Sequence, residues 1–537
     1  MNRRNLLKLI TFSSASAAAA LAFESGAVNH VDKLEAHTVI DFNEFGVSPE
    51  STDGSNRKII QDVLNRHSGR KTITTFTFSK QGVYYLNDSL VIPNNTDLLI
   101  PSGVTITNLP GVNKPVLVSE HWAQVKNGRK EKNEKAETSF DIAKKSDFVS
   151  IRGLGSIDYN RTGVWTKDNL DTMCIILVSI SKLFIGEGLL LGNAFKYSAL
   201  ISNIDNLICD NVRFDNKSDG LHLQPPIVSA SISNLSGHTG DDMLALTGGD
   251  YYYYDVGFRG DFGTVIAKNI SAVNSLCAVK IAGSEGCLFR DISISGISGS
   301  YQHSSVRIWT DGSLKKTDAT RIVVNGINAD VPKGYPLVEV QTMSDESAIN
   351  IDSLYIAGVV EDTTKKLQKT LDINGGKGGD LVSIGRLDLE LTGDNFIGCE
   401  IGSGSNGSVV NMALLNIIMK SCRFIDRHYF SSACIINNGQ VDVISIQGNS
   451  VTHDSTSLIQ YRGGELGVVM SDKTIFTKGF IFSEEVESKN EIMLIVTGTI
   501  SKTAKGIAKS KGNVTLQKIN SFINCEKDIV LKKSEAI

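Results

Sequence analysis

Residues 206–247 read NLICDNVRFDNKSDGLHLQPPIVSASISNLSGHTGDDMLALT, and the fold turns on how this stretch repeats. Two runs of alternating apolar residues begin at Asn206 and Ser229, 23 residues apart, and each leads through Asn, Asp or Gly to an aspartate beside a glycine. Alternation over so few residues is the mark of a short strand with one buried face. Strands this short cannot bury that face alone, so a sequence that keeps repeating them calls for stacking.

The same pattern extends in both directions. Upstream stand FVSIRGLGSID from Phe148 and LFIGEGLLLGN from Leu183; downstream come VIAKNISAVNS from Val265, CLFRDISISGI from Cys287, RIVVNGINAD from Arg321, INIDSLYIAG from Ile349 and VSIGRLDLELTG from Val382. The starts at 265 and 287 again differ by 22. Helical periodicity is scarce. The pattern predicts an all-β chain wound as a right-handed parallel β-helix, with one coil per repeat. A series of Greek-key sandwiches is the alternative, but it would need hairpin turns such as Asn-Gly between neighbouring strands, and few occur.

A solenoid end exposes unpaired strand edges and needs a cap. SNRKIIQDVLNRHS at 55–68 is the candidate capping helix, with Ser55 or Asn56 as N-cap and Ile59, Ile60, Val63 and Leu64 on one face. TTFTFSKQGVYYLNDSLVIPNNTDLLIPSGVTITN, which follows, reads as the first coils. Residues 117–145, with HWAQVKNGRKEKNEKAE, read as a charged surface loop. The organisation expected is an export signal over 1–22, a β-helix over 23–400, and its continuation with a C-terminal cap over 401–537, where a separate small β domain is the alternative.

The chain has 537 residues, of which 41% are hydrophobic and 21% charged, with a formal net charge of −4. That is ample for a large core and gives no electrostatic ground for a nucleic-acid partner or an anionic membrane surface. MNRRNLLKLITFSSASAAAALA at 1–22 has the basic start, apolar middle and Ala20-Leu21-Ala22 end of a cleaved signal, and Arg3-Arg4 gives it a twin-arginine character, so a periplasmic or extracellular location is expected. No later run spans a bilayer. The eight cysteines, at 174, 209, 277, 287, 399, 422, 434 and 525, include no CxxC and sit in strand-like runs, so they read as buried thiols rather than zinc ligands. No cofactor is expected.

Asp219 stands 22 residues before Asp241-Asp242. With one coil taking about that length, Asp219 falls beneath the pair, because adjacent strands lie ~4.8 Å apart. Carboxylates so close cannot all stay ionised, so at least one should hold a proton near neutral pH. An acid beside a base is what glycosidic hydrolysis requires.

The ordered elements SDG at 218–220, GDD at 240–242 and VRIWT at 306–310 resemble the signature of polygalacturonase-like enzymes, glycoside hydrolase family 28, within the pectate-lyase superfamily of right-handed β-helix proteins. The start of the chain, through STDGSN and the capping helix, is similar to the N-terminal region of that superfamily. The resemblance implies that Asp241 is the general acid and that Asp219 and Asp242 activate water for inverting attack. Inversion carries an acid-to-base gap of ~6.5–9.5 Å. Two departures stand out. SLCAVKIAG at 275–283 has no histidine where the family has a GHG element, and Trp309 replaces the lysine expected beside Arg307.

Losing half of a cationic pair argues against galacturonan and for a bacterial capsule, exopolysaccharide or O-antigen. Arg307, Trp309 as a flat face for a sugar ring, and Lys280 as a replacement cation are the expected substrate contacts. Tyr252 and Tyr254, in the Tyr251–Tyr254 run with Asp255, Arg259 and Asp261, and His222 and His238 near the aspartates complete the candidates; Glu285 is a weaker one. Two other outcomes fit the sequence: a calcium-dependent polysaccharide lyase with the three aspartates as ligands, and a non-catalytic glycan-binding protein of tailspike type. Whether the chain is a monomer or a trimer is left open.

Overall fold

A computed structural model describes residues 38–531 except 69–70, 123–143, 163–171, 250–255, 311–313, 344–345, 362–367, 376–379, 403–408, 425–432, 453–456, 473–474, 477–479, 485–490, 502–507, 512–513 and 524–528. The export segment, Tyr252, Tyr254, Asp255, Cys525 and most of 117–145 lie outside the described residues.

The chain is a right-handed parallel β-helix, and its strand pairings are parallel, which excludes the sandwich alternative. Successive coils stack like residues on like. Ile175, Ala199, Leu221, Leu244, Val279, Val306, Val338 and Leu371 form one inward column, all buried. The column continues through Cys399, Ile435, Ile459 and Phe482. The seven described cysteines are buried and free, and burial pushes their thiols up.

The Asn, Asp and Gly residues that punctuate the repeats mark the corners. Glu187, Asn211, Asn234 and Asn269 have φ of 62°, 56°, 56° and 55°, and Gly296, Gly326 and Gly358 have 69°, 74° and 61°. These residues follow stacked positions on seven successive coils. One left-handed residue per coil bends a continuous strand into two faces, and asparagine and glycine tolerate that conformation best. The amides also link the coils: Asn269 Nδ2 donates to Asn234 Oδ1 at 3.2 Å, and Asn234 Nδ2 to Asp210 Oδ1 at 2.8 Å.

Gly237 has φ of 118°, and a Cβ there would lie 2.0 Å from the Phe214 carbonyl oxygen on the adjacent coil. Gly237→Ala therefore forces neighbouring coils apart as well as straining the backbone. A loss of at least ~2 kcal/mol is expected in chemical denaturation; a loss under about 0.5 kcal/mol would show that the coils can give way.

Repeat phase was only partly visible in the sequence. Asn206 does pair with Ser229, but Val265 pairs with Ile292 and not with Cys287, an offset of 27 instead of 22. Alternation fixes which residues face inward, whereas the loops between strands vary; Leu244 to Val279 takes 35 residues. Residues 117–122 also differ from the loop expected of them. Leu117–Ser119 is a strand, and Trp122 is buried.

The helix Asn56–His67 caps the N-terminal end, burying Ile60, Val63 and Leu64, with Ile59 partly buried. Ser55 precedes it without a side-chain cap. The Asn56 side chain instead ties back to Ser48, and Asp53 Oδ1 accepts from the Ser55 amide at 2.9 Å. No helix among the described residues is long and apolar enough to cross a membrane.

One outward column changes character along the solenoid. Val118, Ile176 and Leu200 lie under Trp122, Met173, Val256 and Phe258 in a second apolar cluster. The next coils place His222, Ala245, Lys280, Arg307, Glu339, Asp372 and Glu400 at the same register. The apolar wall ends where the chemistry begins.

Candidate functional site

Asp219 and Asp242 sit at the turns that lead into the strands Leu221–Thr239 and Leu244–Thr247. The Gly220 amide donates to the Asp242 carbonyl at 2.9 Å and Leu221 pairs with Leu244, so Asp219 stacks on Asp242 and Asp241 precedes that rung. Asn216 clamps the first turn: its side chain donates to the Asp219 and Lys196 carbonyls and accepts from the Ala194 amide. Gly240 is required by close approach, since a Cβ there would lie 2.1 Å from the Lys217 carbonyl oxygen. One oxygen from each of the three carboxylates lies within 4.8 Å of the others.

Their environments differ. Asp219 Oδ2 accepts from His222 Nδ1 at 2.7 Å, inside a buried pair. Burial pushes Asp219 up, but the His222 hydrogen bond, with Lys196 and Lys280 nearby, outweighs it, and the carboxyl stays below its ordinary range. Desolvation holds His222 low and neutral. In the tautomer with Nδ1–H, its Nε2 accepts from the Thr247 hydroxyl at 2.8 Å, and its ring stacks on Tyr197 at 3.8 Å between centroids. Asp241 is half-buried; desolvation first, then the Asp219 charge, push it up to about 6. Asp242 is fully buried, and neither oxygen has a hydrogen-bond partner among the described residues. Desolvation raises it more than the ammonium of Lys280, 3.6 Å away, lowers it. The expectation that the trio retains a proton near neutrality agrees with these environments.

The expected acid-to-base gap does not occur. Asp241 and Asp242 are consecutive and Asp219 is one rung away, so their oxygens approach more closely than ~6.5–9.5 Å, and spacing no longer assigns the stereochemical course.

Lys280 and Arg307 stand on successive coils beside the trio. Lys280 Nζ lies 4.7 Å from the Trp309 ring centroid and the Arg307 guanidinium 5.3 Å from it. Trp309 is not the open sugar platform expected from sequence. It is 7% exposed, packed with Ala282 and Leu314, and serves as a backing for the two cations. Arg307 Nε lies 2.8 Å from Glu339 Oε2, and a terminal nitrogen donates to Gln341 Oε1 at 2.6 Å.

His238 is exposed, with Nδ1 donating to the Val273 carbonyl at 2.9 Å, a turn contact away from the carboxylates. Arg259 is exposed and bonded to the Phe258 carbonyl, Asp261 pairs with Arg290, and Glu285 is an exposed turn residue.

Four residues at the site escaped sequence reading: Tyr197, Thr247, Glu339 and His303. His303 packs against Tyr335 with the rings tilted by 54°, and its Nδ1 lies 3.6 Å from Glu339 Oε2; desolvation and then Arg307 lower it to about 4, so it is neutral. A usable signal existed for Glu339: the strands VKIA, VRIWT, VEVQT and LDIN are one motif whose second residue points outward each time.

No protein-family description matches this sequence, and no curated protein matches it. By fold the chain is similar to a family 28 exopolygalacturonase of Yersinia enterocolitica, with a TM-score of 0.40 and 10% identity over 71% of this chain and 78% of that one. It is also similar to an N-terminal fragment of gene product 12 of bacteriophage Phi29, at 0.38 and 11% over 91% and 93%, and to PfbA, a surface adhesin of Streptococcus pneumoniae, at 0.31 and 13% over 90% and 93%. These likenesses are loose and decide no function.

Proposed function

We propose that the chain is a glycoside hydrolase acting on a polysaccharide, with Asp241 as general acid and Asp219 as general base. The observation that supports this is the convergence of three carboxylates in unequal environments, Asp219 held ionised by His222 and Asp241 pushed up to about 6. Asp241 gives its proton to the leaving glycosidic oxygen while Asp219 takes one from the water that adds to the anomeric carbon. With the oxygens within 4.8 Å, that proton returns from Asp219 to Asp241 over a short path and resets the site. Thr247 and Tyr197 fix the imidazole that orients Asp219. Asp242 and Lys280 set the local field. A bacterial capsule or exopolysaccharide is the proposed substrate, and export through residues 1–22 would bring the enzyme to it.

The calcium-lyase reading has one observation behind it, the three clustered carboxylates. Ca²⁺ takes ~6–8 oxygen ligands, and the Lys280 ammonium, 3.6 Å from Asp242, already stands as the counter-charge. The residues fit the ion poorly. The expected outcome is therefore release of reducing ends that EDTA leaves unchanged, with no ultraviolet absorbance from an unsaturated product. Chelator-sensitive cleavage that yields unsaturated ends would replace hydrolysis with elimination.

A further inference from the structure

Beside and beyond the aspartate trio, Lys280, Arg307 and Lys369 each face acids of this chain. Arg307 presents Nε and a terminal nitrogen to Glu339 and Gln341, at 2.8 and 2.6 Å. Glu339 and Gln341 thus face one of the two edges by which a guanidinium grips a carboxylate in two-point fashion. Lys280 faces Asp242 and lies over Trp309. Three coils beyond Lys280, Lys369 lies 3.0 Å from Asp372 and 2.6 Å from Glu400. A uronate carboxylate here would meet Glu339, Asp372 and Glu400 on three successive rungs, with the Nε side of the guanidinium already turned to Glu339. Beside the row Tyr335, 37% exposed, rests on His303 and offers an apolar ring face.

We propose that the outward face of the coils from Arg307 to Glu400 binds uncharged sugar residues and rejects uronates, with the Arg307–Glu339 pair as the discriminating element. This rests on the glycan reading above and names the substrate class of that site. Like charge at the rim disfavours the wrong ligand, and the ion pair supplies both a donor and an acceptor for sugar hydroxyls.

The test is retention of the Asp241→Asn protein on immobilised neutral glucans, galactans and mannans and on polygalacturonate and alginate. Retention on a neutral glycan that persists to about 0.5 M salt, where screening leaves only ~4–5 Å of electrostatic range, is the expected result. Glu339→Gln frees the guanidinium edge and should raise uronate retention about tenfold, the size of one charge-assisted hydrogen bond. Salt-sensitive retention on polyuronates in preference to neutral glycans overturns the inference but spares the glycan reading. An unchanged preference in folded Glu339→Gln removes the pair as its cause. Absence of retention on both sets overturns the inference together with the glycan reading; the salt series on the unaltered face decides the matter even where Glu339→Gln fails to fold.

Discussion

Asp241→Asn is expected to lower kcat/KM for polysaccharide cleavage by about 10²–10⁴-fold, the usual contribution of a positioned proton donor, while making the protein more stable at pH 8. The two effects have one origin. In the folded chain Asp241 holds its proton to about 6 because burial and the Asp219 charge disfavour its ionised form; unfolded, it releases the proton near 3.9. The native state therefore binds more protons between those values, and its stability falls as pH rises through that window. A shift of two units is worth at most about 3 kcal/mol. An asparagine carries no such cost, so its advantage should appear above pH 6 and vanish below pH 4. The wild-type rate should fall as pH climbs through about 6, when the acid loses its proton, and the residual rate of Asp241→Asn should lack that limb. Denaturant melts at pH 4 and 8, read beside the pH–rate profile, separate this from a structural role, for which activity and stability would fall together. A variant that keeps a tenth or more of the activity would end the assignment and favour a non-catalytic glycan-binding protein.

The fold was legible because a solenoid writes its rule locally. The inward column from Ile175 to Leu371 is apolar on each coil, and the corners of seven successive coils carry a residue in the left-handed conformation. The aspartate trio was legible for the same reason: residues one coil apart in sequence are neighbours in space. What the outward residues do to one another was not. VRIWT shows that Arg307 and Trp309 face outward, but it cannot show that Glu339, 32 residues later, takes the guanidinium or that Leu314 covers the indole. Those contacts depend on loop lengths between strands, and loops carry no period. The carboxylate gap has a different origin. Fixed by backbone rungs and by adjacency of Asp241 and Asp242, it could not open to the distance that the resemblance implied.

Lys280→Met should cost ~3–5 kcal/mol at pH 8, the range found when one partner of a buried charge pair is removed. Its ammonium is largely buried, 3.6 Å from Asp242, and the Trp309 ring behind it offers no charge to take its place. Without it, three carboxylates within 4.8 Å face one another with their main counter-charge gone. They respond by holding protons more tightly, so the folded-state values of Asp241 and Asp242, already raised, climb further. The sign follows from linkage. Groups whose folded values lie above their unfolded ones destabilise the native state increasingly as pH rises, and the variant has more of that than the wild type. The deficit should shrink on acidification and approach zero near pH 4, where Asp241 and Asp242 are protonated in both proteins and methionine fills the volume of the lysine stem without a charge to desolvate. Urea denaturation at pH 4 and 8 measures this, and Lys280→Met combined with Asp242→Asn should recover much of the loss at pH 8, because removing both members leaves no uncompensated charge. A deficit of equal size at both pH values would mean that Lys280 acts through the packing of its stem. The ammonium would then not be what allows three acids to share one turn of the helix, and the unequal environments that separate Asp219 from Asp241 would need another source.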